Sequence, residues 1–259
     1  MVVQTKLPFF REHIETIESA IEKAFPNCKI GILENKNLSW RKEKVSSILF
    51  QENHLNFEID FSNIQKTGFF LDQRTSRNAL RQYVQGKIVL NCFSYTGGFG
   101  VYAAKHGATQ VTNIDISKEA IAVADRNFER NRVLKTAYTN QVGDAFAFLN
   151  EMKKDSYDVI ILDPPAFSKS VHSVEKAARG YKEINLKAMQ KIKPDGILFT
   201  FSCSSYVDTD LFQKIIFGAA KDANRNVSVL GKFANSFDHP VSVFHREGEY
   251  LKGLILRVY

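Results

Sequence analysis

The residue types best able to do covalent chemistry fall in two short segments forty residues apart. Asp163-Pro164-Pro165-Ala166-Phe167 follows the apolar run Tyr157-Asp158-Val159-Ile160-Ile161-Leu162, and Cys203 follows a second such run at residues 196–202. Two prolines lock φ and remove two N–H donors, so rigid carbonyl acceptors stand beside a carboxylate. That combination suits a flat heterocycle carrying N–H groups, and Phe167 offers a face for a base taken out of its stack. A thiol is the best of the common side-chain nucleophiles at an unactivated ring carbon. If the two runs are neighbouring parallel strands, their ends lie roughly 5 Å apart, and Asp163 and Cys203 face the same base. Cys28 and Cys92 read instead as small apolar packing groups.

A second set of residues reads as a nucleoside pocket. The turn Asn91-Cys92-Phe93-Ser94-Tyr95-Thr96-Gly97-Gly98-Phe99-Gly100 lets a ligand approach the backbone, yet it has neither the GxGxxG order nor the GK[ST] of a phosphate loop. The next strand ends in Asp115, where a carboxylate can accept both hydroxyls of a ribose, followed by Ile116. The third ends in Gly143-Asp144-Ala145-Phe146. There Asp144 either accepts from an adenine amine or caps the following helix, and Phe146 packs on the ring. Without a lysine to cradle phosphates, S-adenosylmethionine is favoured over ATP or NAD. The six histidines, His13, His54, His106, His172, His239 and His245, show no metal-ligand spacing, so no metal is expected.

These residues need a scaffold that brings strand ends together. From residue 86 onward strands (87–91, 110–115, 138–142, 157–163, 196–202) alternate with helices (101–106, 117–131, 145–152, 176–191), which predicts a parallel sheet covered on both faces. A helix at 208–223 and two strands at 227–233 and 251–258 complete it. Before residue 86, Phe10, Ile14, Ile17, Ile21 and Phe25 mark one amphipathic helix; strands at 29–34, 45–50 and 55–61 follow, with a hairpin turn at Gln51-Glu52-Asn53. The expected division is a small α/β domain at 1–75 and a catalytic domain at 76–259.

Composition excludes other classes. With 44% hydrophobic and 24% charged residues the chain is neither disordered nor fibrous, and no apolar run approaches the length of a membrane span. The start lacks the apolar core of a secretory signal, and three scattered cysteines fit a reducing cytoplasm. Net charge is +7, of which residues 65–90 carry +4 and residues 168–193 carry +5, leaving −2 elsewhere. The excess is local, as a face for a polyanion such as RNA requires.

Taken together, the chain resembles the class I S-adenosylmethionine-dependent RNA methyltransferases that modify cytosine carbon 5 in large-subunit ribosomal RNA. The matching blocks are Lys66-Thr67-Gly68-Phe69-Phe70-Leu71-Asp72-Gln73-Arg74, the loop 91–100, DPPAF, Gly180-Tyr181 with Asn185, Ser202-Cys203-Ser204, and Asp238-His239-Pro240-Val241. The resemblance implies a Rossmann-like seven-stranded sheet with its last strand antiparallel, preceded by an RNA-positioning α/β domain. It implies that Gln73 and Arg74 help hold the methionine end of the cofactor, that Phe93, Ser94, Tyr95, Thr96 and Gly97 form its cradle, and that Asp115 contacts the ribose. Asp144 with Ala145 or Phe146 would contact the adenine. Asp163 would stabilise the activated cytosine and Cys203 would be the nucleophile, with Pro164, Pro165, Phe167, Arg179 and Tyr181 around the substrate. Two departures stand out. Full-length relatives carry an N-terminal PUA domain, for which this chain leaves no room, and Ala166 stands where many 5-methylcytosine enzymes place a second cysteine. The competing readings are a base-nitrogen methyltransferase using DPPAF, with Cys203 only packing, and a non-catalytic RNA-binding factor.

Overall fold

A computed structural model describes residues 2–4, 12–34, 37–41, 44–61, 68–168, 170–245 and 248–259. Phe10 of the expected first helix, Lys66 and Thr67, which precede residues 68–74 (GFFLDQR), and Lys169 lie outside them. The chain divides into two compact units, residues 1–50 with 58–69, and residues 51–57 with 70–259.

In the first unit, β1 (Val2–Gln4) pairs in parallel with β2 (Gly31–Glu34), which pairs antiparallel with β3 (Asn37–Trp40). The amphipathic pattern forms α1 (Ile14–Ala24), and Glu18 on it pairs with Arg41. Gly68 adopts φ +83°, and a Cβ there would lie 2.3 Å from Ile59 Cγ2, so the GFFLDQR block needs glycine at this point. β4 (Ser47–Glu52) and β5 (Leu55–Asp60) form a hairpin. Its turn is Asn53-His54, not Gln51-Glu52-Asn53, because both of those residues take positive φ, +50° and +66°, as a two-residue turn with the twist of its strands demands.

The larger unit carries the parallel core. β6 (Ile88–Cys92), β7 (Gln110–Asp115), β8 (Tyr138–Val142), β9 (Val159–Leu162) and β10 (Gly196–Ser202) run parallel. β11 (Val227–Phe233) and β12 (Lys252–Val258) close the sheet, with β12 antiparallel to both β10 and β11. The order β11-β12-β10-β9-β6-β7-β8 is the seven-stranded sheet expected, its last strand antiparallel. All four residues of β9 are buried, as a central strand covered on both faces must be.

The covering helices are α2 (Arg74–Leu80), α3 (Gly98–Lys105), α4 (Lys118–Arg130), α5 (Ala145–Glu151), α6 (Val174–Lys191) and α7 (Thr209–Ala223). Three begin where a side chain accepts from an otherwise orphaned N–H: Ser117 from Ala120, Asp144 from Ala147 and Asp208 from Leu211. The α2 helix has no apolar periodicity in its Arg-Thr-Ser-Arg-Asn-Ala-Leu sequence and escaped the pattern reading. From β6 the chain winds outward through β7 and β8, then returns to β9 and β10 on the other side. The β6–β9 boundary is therefore a switch point, and a crevice opens there at the carboxyl ends of the strands.

Candidate active site

At the chemical end of this crevice, β9 and β10 pair with Leu162 opposite Thr200, so Asp163 and Cys203 leave neighbouring strand ends. The Cys203 thiol donates to the Pro164 carbonyl at 3.7 Å. Gln73 Nε2 donates to Asp163 Oδ1 at 2.9 Å, which brings the GFFLDQR block onto the DPPAF block. Pro164 is buried and Pro165 exposed beside it. Phe167 lies 4.6 Å from the Tyr181 ring and 6.0 Å from that of Phe146, and Phe93 meets Phe146 edge-on at 6.0 Å. These rings form a row packed against the core. Tyr181 is fully buried and shares a 2.9 Å hydrogen bond with Ser204 Oγ, so it supports the turn that carries Cys203. Arg179 is exposed on α6 and pairs with Glu175 at 3.5 Å.

The nucleoside end is built by the glycine loop. Ser94 N–H donates to the Ile114 carbonyl, Gly97 N–H to the Ser94 carbonyl and Asn127 Nδ2 to the Thr96 carbonyl, each at 2.9 Å. Asp115 accepts from Tyr95 N–H at 2.8 Å and from Ser117 N–H at 2.9 Å, one on each oxygen. Phe93 and Tyr95 hold φ of +57° and +48°, a strained geometry for non-glycine residues, and Gly97 sits at +77° with Ala124 Cβ 3.0 Å from where a Cβ would stand. Asp144 caps α5, Ala145 behind it is buried, and Ile116 is exposed. Ser94 Oγ and Gln73 Oε1 are buried without a hydrogen-bond partner among the described residues. Leaving such atoms unpaired costs about 1–3 kcal/mol each, so a bound ligand that satisfies them is favoured. Each Asp115 oxygen keeps a lone pair for a ribose hydroxyl. Replacing Asp115 by alanine is expected to weaken S-adenosylhomocysteine binding by about 10- to 100-fold, the worth of one or two charge-assisted hydrogen bonds; calorimetry showing unchanged affinity would remove Asp115 from the pocket.

Four residues here were not singled out as site residues. Ser236 Oγ donates to the Asp72 carbonyl at 2.7 Å and accepts from Thr75 N–H at 2.9 Å. Tyr250 OH donates to Asp72 Oδ2 at 2.6 Å. Lys252 Nζ donates to the carbonyls of Ser204 at 2.6 Å and Tyr250 at 2.8 Å. The one sequence signal was Lys252 itself, a charge beside the apolar run Leu254-Ile255-Leu256. Arg74, beside Gln73, pairs with Asp238 at 3.3 Å and lies 5.8 Å from the Phe237 ring.

The local charge excess is less available than the sequence suggests. Arg77 is buried in an ion pair with Glu52, while Lys182 and Lys193 pair with Asp222 and Asp158. Lys191 donates to the Met152 carbonyl at 2.9 Å. Arg81, Lys87, Lys176 and Arg179 remain exposed.

A doubly wound sheet with a glycine turn, an acid at the next strand end, and a proline-stiffened acid and a thiol at neighbouring strand ends has the layout of a nucleoside-binding fold. The chain belongs to the S-adenosylmethionine-dependent methyltransferase family, whose profile matches residues 36–236. It is 41% identical to the ribosomal RNA large subunit methyltransferase I of Aeromonas hydrophila over 94% of this chain. It spans 65% of that protein's length. A solved structure of a proposed S-adenosylmethionine-dependent methyltransferase from Streptococcus mutans matches 99% of this chain and 68% of its own, with TM-score 0.87 and 25% identity. A second, described as a methyltransferase complexed with S-adenosylhomocysteine, matches 99% of this chain and 69% of its own, with TM-score 0.86 and 25% identity. Among the described residues no helix is long and apolar enough to cross a membrane, and no cluster of three His, Cys, Asp or Glu could hold a metal.

Proposed function

We propose that this protein methylates carbon 5 of a cytosine in large-subunit ribosomal RNA, in the cytoplasm, through a covalent adduct on Cys203. The observation that carries the reading is the pairing of Cys203 with the Pro164 carbonyl, one residue beyond Asp163, at the ends of adjacent parallel strands. The likeness to a large-subunit ribosomal RNA methyltransferase supports the substrate class.

Carbon 5 of cytosine is too weakly nucleophilic to take a methyl group directly. In this scheme Cys203 Sγ adds to carbon 6, forming a C–S bond. The displaced π pair moves toward carbon 5, while Asp163, protonated or hydrogen-bonded, holds N3. Carbon 5 is then enamine-like. S-adenosylmethionine, when bound, supplies an electrophilic methyl group. Gln73 orients Asp163 through its 2.9 Å hydrogen bond, and its unpaired Oε1 remains for the cofactor's methionine end. Ser94 and the 93–97 backbone cradle the cofactor, Asp115 takes its ribose, and Asp144 keeps one carboxylate oxygen beyond its cap for the adenine. Loss of the carbon 5 proton to a base and expulsion of the thiolate complete the cycle. Pro165 and Phe167 line the approach of the base, and the exposed Lys176 and Arg179 fit a phosphate backbone beside it. The small α/β domain at 1–75 is assigned to positioning RNA, and the catalytic domain to 76–259.

RNA carrying 5-fluorocytosine at the target position blocks loss of the carbon 5 substituent. It is expected to accumulate a protein–RNA adduct that survives denaturing electrophoresis, with the crosslinked peptide containing Cys203. Turnover of ordinary RNA without any adduct on the fluorinated RNA would overturn the cysteine mechanism.

A further inference from the structure

Lys252 opens β12, a strand otherwise buried and apolar through Leu256, and its side chain is only 5% exposed. β12 lies antiparallel to β10 with Lys252 opposite Ser202, the residue before Cys203. Its ammonium donates to the Ser204 carbonyl, in the turn that carries the thiol, and to the Tyr250 carbonyl. Burying an ammonium is unfavourable unless an opposite charge compensates it, and two neutral carbonyls satisfy its protons without cancelling its charge. An apolar side chain would pack in β12 at lower cost. The lysine therefore has a use for its charge.

Among the described residues the ionisable groups around this point are few. Asp208 caps α7 through Leu211 N–H and is exposed, where water screens it. Asp72 is engaged by Tyr250 OH. Tyr250 and Tyr181 both feel the charge of Cys203, and burial pushes both phenols up, so neither ionises near neutral pH. Asp163 ends the neighbouring strand and, when ionised, opposes a second negative charge. Cys203 is the group whose ionisation Lys252 feels most among its charged neighbours.

We propose that Lys252 is the cation that stabilises the Cys203 thiolate, so that the nucleophile stands ionised before it meets the base. The inference rests on the cysteine mechanism proposed above. The thiol gives its proton to solvent and keeps the electron pair on Sγ; expulsion from the product regenerates the thiolate without a further proton. Lys252 acts through Cys203 and the Ser204 carbonyl, and is a positioning residue. Burial draws its ammonium down to about 8, with Cys203 and Asp208 opposing that fall. The charge is thus present at neutral pH and fades as pH rises through that value.

The test is the pH dependence of iodoacetamide alkylation at Cys203, read by mass spectrometry of its peptide in the full-length protein without RNA. The wild-type midpoint is expected below the roughly 8.5 of a free cysteine. Lys252→Met should raise it by about one pH unit or more, a tenfold loss of thiolate per unit, and Lys252→Arg should restore it. A wild-type midpoint at or above that of free cysteine overturns the proposal, and needs no variant that might misfold. So do superimposable profiles for wild type and Lys252→Met. The two readings fail separately: a shifted midpoint without a fluorocytosine adduct counts against the cysteine mechanism, and an adduct with superimposed profiles counts against the lysine.

Discussion

Cys203→Ala is expected to lower methyl transfer to RNA by about 10³-fold or more, the loss typical when a covalent nucleophile is removed, with S-adenosylhomocysteine affinity unchanged. The separation follows from the site's geometry. Cys203 leaves the end of β10 with its thiol on the Pro164 carbonyl, whereas the orphaned Ser94 Oγ belongs to the loop after β6 and the Asp115 carboxylate to the last residue of β7. The residue is half-buried and small, so its truncation removes few packing atoms. Single-turnover rates with labelled cofactor, alongside calorimetry on the same preparation, make the comparison. Near-normal turnover by the alanine variant would reassign the chemistry to a base nitrogen, where DPPAF alone holds the acceptor.

The largest effect on stability is expected at Glu52 and Arg77. Arg77 Nε and Nη2 each donate to a Glu52 oxygen at 2.7 Å, with 3% and 1% of the two side chains exposed. Arg77 Nη1 donates to the Phe70 carbonyl at 2.8 Å, and Tyr102 OH donates to Glu52 Oε1 at 3.0 Å. Glu52→Gln strands the buried Arg77 charge, whereas removing Arg77 leaves Glu52 only the more distant Arg74 Nε at 3.8 Å; breaking a buried pair from one side costs about 3–5 kcal/mol. Glu52→Gln or Arg77→Met should each destabilise by that order, roughly 10 °C in Tm for a unit of this size. The double substitution should cost clearly less than the sum, because it strands no charge. Urea unfolding of the four species measures the cycle, and single variants within about 1 kcal/mol of wild type would show the pair to be dispensable. The pair also fixes α2, whose first turn follows Gln73, so Cys203-dependent turnover should fall in variants that still fold.

The same pair shows where sequence reading stops. Counted along the chain, Arg77 adds to a basic window that suggests a phosphate-binding face. In the fold it faces inward, because the β4–β5 hairpin tip delivers Glu52 from twenty-five residues earlier. Charge counting cannot see a partner that distant. The helix α2 was missed for a related reason: held by burial of Ser76, Arg77 and Leu80, it has no local pattern of its own. Asp144 illustrates an ambiguity that geometry narrows, since its Oδ1 caps α5 at 2.8 Å and leaves one oxygen for a ligand.

By itself the sequence determined the alternation of strands and helices, the glycine turn and the acid and thiol at successive strand ends. It could do so because a parallel strand buried on both faces is a continuous apolar run, and its polar successor must stand at the sheet edge. Only the tertiary structure decided what lies across from those ends. The strand order brings the ends that carry Asp163 and Cys203 side by side, the GFFLDQR segment delivers Gln73 to Asp163, and antiparallel β12 sets Lys252 opposite Ser202, next to Cys203. Each is a juxtaposition of residues distant in sequence, set by register and packing, for which local spacing leaves no trace.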